Sequence, residues 1–145
     1  DAELQRAACN SLGQIITDNA VNRVKAGNAG AVEAAVVAMR RHAGSVGLQH
    51  AAIGMLGGMT AGAGNAQITA KAGNAGAVEA IVAAMCTYRV DAELQRAACM
   101  TLARLNGDNA DNNNRAKAGN AGAVEAVVAA MRTHREDAEL QRAAC

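Results

Sequence analysis

The sequence predicts an all-α fold, a solenoid of stacked helical units, and three observations carry that reading. Lys-Ala-Gly-Asn-Ala-Gly-Ala-Val-Glu-Ala occurs unchanged from Lys25, Lys71 and Lys117, at intervals of 46 residues. Asp-Ala-Glu-Leu-Gln-Arg-Ala-Ala-Cys stands at Asp1–Cys9, Asp91–Cys99 and Asp137–Cys145, with a diverged copy at Ser45–Ile53. Proline is absent and 51% of the residues are hydrophobic, many of them alanine, which favours helix along the whole chain. A repeat of this length marks units that bury their apolar faces only against their neighbours.

Each unit divides into a long, a short and a medium helix. In the third, Asp91 is a good N-cap, and Leu94, Ala97, Ala98, Leu102 and Leu105 follow at helical spacing until Asn106-Gly107 stops the helix. A short polar helix is expected near Asp111–Ala118, with Lys117 in its last turn where a cation suits the dipole. Gly119-Asn120-Ala121-Gly122 then reads as the turn. The medium helix, Ala123–His134, presents Val124, Val127, Val128 and Met131 as one apolar stripe. The other long helices are expected at Ala2–Thr17 and Val46–Thr60, and the medium ones at Ala31–His42 and Ala77–Tyr88. One array therefore spans 1–145: a long helix at 1–17, then units 18–61, 62–107 and 108–145, the last with a truncated long helix. The first unit is two residues shorter between its long and short helices, where a loop absorbs the difference. Opening and closing within the same element, the chain reads as a piece of a longer array.

Composition narrows the functional classes. Net charge is +1, from 14 basic and 13 acidic side chains, without the basic excess of a phosphate-backbone binder. Tyr88 is the only aromatic ring apart from the histidines, so the core falls to Ala, Val, Leu, Ile and Met. No apolar run reaches the roughly 20 residues that span a bilayer, and Ala77–Met85 is interrupted by Glu79. Cys9, Cys99 and Cys145 share the repeat position held by Ile53, an interior packing site where a free thiol acts as a small hydrophobe. Cys86 instead occupies the place of Arg40 and Arg132, which predicts exposure. The spacings fit no zinc pattern, and unpaired thiols suit a reducing cytosolic setting, with the nucleus the alternative.

The short helix ending Lys117-Ala118-Gly119, the medium helix Gly122–Val128 and the long helix Asp91–Leu102 together resemble the armadillo repeat, and the resemblance covers the whole chain. It implies a right-handed superhelix whose long helices line a concave groove for extended peptides or other proteins. It also implies that equivalent residues of successive long helices form columns along that groove. The column that usually carries Trp is Asn10, Gly54 and Met100 here, and the one that usually carries Asn is Gln14, Gly58 and Arg104. Neither keeps its usual residue, which argues against an importin-like grip on basic peptides. A third column, Arg6, His50, Arg96 and Arg142, offers cationic donors for carboxylates on an acidic partner. Glu3, Glu93 and Glu139 stand three residues before its arginines, so ordinary intrahelical pairing is expected there as well. Gly54, Gly57 and Gly58 in one long helix read either as a close approach by a partner or as a weak helix carried by its neighbours.

Other motifs are set aside on context. Gly27-Asn28-Ala29-Gly30 and its copies at Gly73 and Gly119 lack the preceding strand and the Gly-Lys-Thr/Ser of phosphate loops, and turn chemistry accounts for the glycines. The polar stretch Asp108–Asn114 lacks the glycine and terminal glutamate of a calcium loop and reads as a solvated loop. Glu33, Glu79 and Glu125 open the medium helices as dipole partners, and His42 and His134 close them two units apart. No catalytic, metal or cofactor constellation results. The sequence thus predicts a non-catalytic scaffold for protein partners. End-to-end self-association, through faces lacking polar caps, is the alternative, and helical-repeat nucleic-acid binding is disfavoured by the missing stacking groups.

Overall fold

A computed structural model of the protein describes residues 1–62, 65–107 and 113–145. The described residues form ten α-helices and no strand. They are α1 (Ala2–Ile16), α2 (Ala20–Asn28), α3 (Ala31–Arg41), α4 (Val46–Met59), α5 (Ala66–Ala75), α6 (Ala77–Thr87), α7 (Ala92–Leu105), α8 (Asn114–Asn120), α9 (Ala123–Thr133) and α10 (Ala138–Ala144). The fold is all-α. Of the solvated loop expected at Asp108–Asn114, residues 108–112 lie outside the described residues, and Asn114 opens α8.

The long and medium helices end within one residue of expectation because their caps are written locally. Asp1 Oδ1 accepts from the N–H groups of Glu3 (2.8 Å) and Leu4 (3.2 Å), while Asp91 and Asp137 accept from Leu94 and Leu140, each at 2.9 Å. The short helices differ from expectation. α8 starts at Asn114 rather than near Asp111, and it runs on through Gly119 and Asn120. The turn contracts to the glycine that follows, since Gly30, Gly76 and Gly122 sit at φ of +82°, +84° and +80°. Only glycine holds that left-handed conformation without strain, so a single residue redirects the chain into each medium helix. The first glycine of the Gly-Asn-Ala-Gly serves packing in two of the three copies, and Gly119 has nothing within 4 Å of a Cβ position. Gly27 faces Ile68 of the next short helix, and Gly73 lies directly against Asn114.

The helices pack in series. α1, α4, α7 and α10 lie each on the next, as do α3, α6 and α9, and the short helices sit beside the medium ones. One apolar cluster runs from Cys9 to Leu140 through all of them. Cys9 and Cys99 belong to it, as expected, and burial pushes both thiols up, that of Cys99 to about 11. Cys145, expected inside, is exposed because α10 stops there and nothing covers it; Cys86 is exposed as predicted.

Polar side chains join the series at regular intervals. The Nε2 of Gln49 donates to the carbonyls of Met39 and His42, that of Gln95 to Met85 and Tyr88, and that of Gln141 to Met131 and His134, all at 2.8–3.2 Å. Each long helix thereby satisfies carbonyls at the end of the medium helix before it, groups that a helix cannot satisfy itself. Between units, Lys71 Nζ donates to Gly27 O (3.0 Å) and Lys117 Nζ to Gly73 O (2.8 Å). Tyr88 Oη donates to Ala43 O (2.7 Å), and His134 Nε2 lies 2.8 Å from Arg89 O. Lysine, placed by the sequence as a partner of its own helix dipole, instead reaches the short helix one unit earlier.

The glycines of α4 have separate explanations. A Cβ on Gly57 would stand 2.7 Å from Thr101 Oγ1 and 3.2 Å from Arg104 Nη1, two donors of α7 that bond to Ile53 O and Gly57 O. The close approach comes from within the chain. One on Gly58 would meet Ile16 at 3.4 Å, and one on Gly54 nothing within 4 Å. Gly54→Ala is therefore expected to stabilise the protein by about 0.5–1 kcal/mol through helix propensity. Gly57→Ala should destabilise it by about 1–3 kcal/mol through overpacking. Urea melts of the two variants check this, and shifts of the same sign would contradict the packing described.

Candidate functional site

Four of the residues expected on the partner-binding face come together. Arg6 and Asn10 of α1 and His50 and Gly54 of α4 line one open depression of about 500 Å³, with Glu93 of α7 at its edge. Helical spacing puts residues four apart on one face, and the packing of α1 on α4 lays the two faces side by side. Gly54 carries no side chain into the space, which keeps the floor open.

The cationic column makes three different ion pairs. Arg6 Nη2 contacts Glu3 Oε2 at 2.6 Å within its own helix, as expected. Arg96 does not pair with Glu93; its Nη1 lies 3.6 Å from Glu139 Oε2 in the next long helix. The difference follows from the repeat itself. Gly47 occupies in α4 the place that Glu139 occupies in α10, so α4 offers Arg6 no carboxylate, and Arg6 lies over Gly47 with Cδ 3.0 Å from the position of a Cβ. His50, the column's substitute for arginine, reaches Asp91 at the cap of α7, Nε2 to Oδ2 at 3.1 Å. Arg142 is exposed on α10 and makes no ion pair among the described residues.

The remaining expected residues are dispersed. Gln14 is exposed on α1 outside the depression, and Met100 is exposed on α7. Gly58 is turned towards Ile16 of α1. Arg104 donates to Gly57 O at 3.0 Å, so a residue expected to face a partner fastens α7 to α4 instead. Sequence reasoning missed Asp91 as a member of the site, having given it only a capping role. The signal was present: the residue opposite His50 across a unit boundary is the cap of the next long helix. Among the described residues no three of His, Cys, Asp and Glu gather where they could hold a metal ion.

Asp91 is the electrostatic link between the cap and the depression. Partial burial by itself raises its carboxyl, but the N–H of Leu94, the His50 ring and the N–H of Glu93 outweigh that, and the net shift is downward. A carboxyl lowered in the folded state contributes stability above its unfolded value and loses it as pH falls through the lower, folded one. Thermal melts should therefore show a stability increment that is present at neutral pH and disappears below the ordinary carboxylate range. In Asp91→Asn that acid-side dependence should shrink; an unchanged profile would refute the link.

Comparison with known proteins gave no match to this chain among protein-family models, curated proteins or solved structures.

Proposed function

We propose that the chain is an armadillo-like solenoid and works as a non-catalytic scaffold that holds an extended, acidic segment of a partner protein in the depression between α1 and α4. The observation that carries this reading is the convergence of Arg6, Asn10, His50 and Gly54 on one open surface. The Arg6–Glu3 pair is about half exposed, and pairs of that kind are worth only about 0.3–0.5 kcal/mol, so a partner carboxylate can displace Glu3 at little cost. Asn10 adds an amide that can both donate to and accept from a peptide backbone. We extend the partner's path beyond the depression to Arg96 and Met100 on α7 and Arg142 on α10, which are part-exposed or exposed. The solenoid reading rests on the unit-to-unit packing and the periodic side-chain bonds. No Phe, Tyr or Trp lines the depression, which disfavours base stacking by a nucleic acid there. We place the protein in the cytosol or nucleus; among the described residues no helix is long and apolar enough to cross a membrane.

Fluorescence polarisation with an extended glutamate-rich peptide tests the reading. Arg6→Ala and Arg96→Ala should each weaken binding about fivefold, and added salt should weaken it further. Unchanged affinity in both variants would end the proposal.

A second reading, end-to-end association, is favoured by the two outermost faces. Leu4 is 67% exposed, whereas its counterparts Leu48, Leu94 and Leu140 are fully buried. Val124 is 64% exposed, whereas Val32 and Val78 are fully buried. These are the surfaces through which inner units stack, so another unit of the same kind fits either of them. Sedimentation should show concentration-dependent association that Leu4→Glu abolishes; a clean monomer at high concentration would remove this reading.

A further inference from the structure

The same groove occurs twice between successive medium helices, once filled and once empty. Between α3 and α6, Arg40 crosses the groove and its Nη2 donates to Gly76 O at 3.3 Å. That carbonyl already accepts from the N–H of Ala80 at 3.1 Å, so the guanidinium uses its second lone pair. Only about 220 Å³ of groove remains there. Between α6 and α9, Cys86 stands where Arg40 stands one unit earlier, and the groove measures about 400 Å³. Gly122 O accepts from the N–H of Ala126 at 3.0 Å, and no side-chain donor reaches its outer side among the described residues. Gly122 and Glu125, the counterparts of Gly76 and Glu79, line the open groove with Ala126 and Ala129. Arg89, at the rim, does not fill it; its Nε donates to Cys86 O at 3.2 Å.

We infer that the α6–α9 groove is a receptor for an arginine side chain of a partner protein. The filled copy shows what the empty one accepts: a planar cation whose stem lies along the alanines and whose guanidinium ends at the glycine carbonyl. Glu125 stands beside Gly122 as Glu79 stands beside Gly76, Arg89 is turned to the Cys86 carbonyl, and the small side chain at Cys86 leaves the entrance unblocked. This surface lies between medium helices and is separate from the depression between α1 and α4.

Amide NMR titration with an acetylated Gly-Arg-Gly amide tests the inference, with the citrulline peptide as the uncharged isostere. The arginine peptide should shift the Gly122 and Glu125 resonances saturably, and citrulline should bind at least about tenfold more weakly, as loss of a charge-assisted bond implies. Cys86→Arg, which refills the groove from within, should abolish binding and raise the melting temperature. Glu125→Gln should weaken binding at least about threefold, and it reports on the site if Cys86→Arg fails to fold. Equal binding of citrulline, undiminished binding to a folded Cys86→Arg or to Glu125→Gln, or no shift at Gly122 would overturn it.

Discussion

A helix cannot bond its own last carbonyls, and this chain meets that constraint at many helix ends by lending them a side chain from another element. Gln49, Gln95 and Gln141 close the medium helices from the long helices that follow them. Lys71 and Lys117 close the short helices from one unit further on, 44 residues away. Tyr88 and His134 reach back 45 residues to the loops after the preceding medium helices. The bonds to the carbonyls of Met39 and Met85 are buried, where an unpartnered acceptor costs about 1–3 kcal/mol. Those of the lysines add a second donor, and those of Tyr88 and His134 join exposed loops. The apolar cluster adds non-directional attraction, while the borrowed donors fix the register.

The open surface near α1 and α4 follows from the same register. Where α10 carries Glu139 the column's arginine is tied across the boundary, and where α4 carries Gly47 it is left on its own helix. His50 then ties to a helix cap instead. The three paired members of the column therefore hold three different electrostatic arrangements, and Arg6, tied only within its own helix, borders the depression. Chemical individuality in a repeat of this fidelity arises from the few positions at which a copy departs: Gly47, Gly54, Cys86.

Much of this was legible in the sequence, for reasons that are local. Asp1, Asp91 and Asp137 mark helix starts through their own side chains, and the period-46 repeat places each helix once one is placed. Helix ends were read to within a residue for the long and medium elements. The short helices differ because Gly27, Gly73 and Gly119 look like turn residues but lie within helices, and close packing against the next short helix requires the small size of Gly27 and Gly73. The glutamines and lysines carried no signal, since their partners lie across a boundary whose geometry no single helix encodes. The arginine column was found by register alone, but register does not say which carboxylate a guanidinium reaches; Arg96 and Glu93 show the limit. For the candidate surface, sequence named Arg6, Asn10, His50 and Gly54, which line one depression, and placed Arg104 among them without reason to see its bond to Gly57.

The constancy of those 44- and 45-residue reaches bears on how such a chain can change its length. Inserting or excising one whole period rejoins every donor to a chemically equivalent acceptor, so the product folds by the same rules as its parent. Removing a handful of residues from within a helix rotates its donors off their acceptors in the two adjoining units at once. Variation in size should accordingly come in quanta of about one unit, with small gains and losses tolerated only in the loops between long and short helices, where the first unit already carries one.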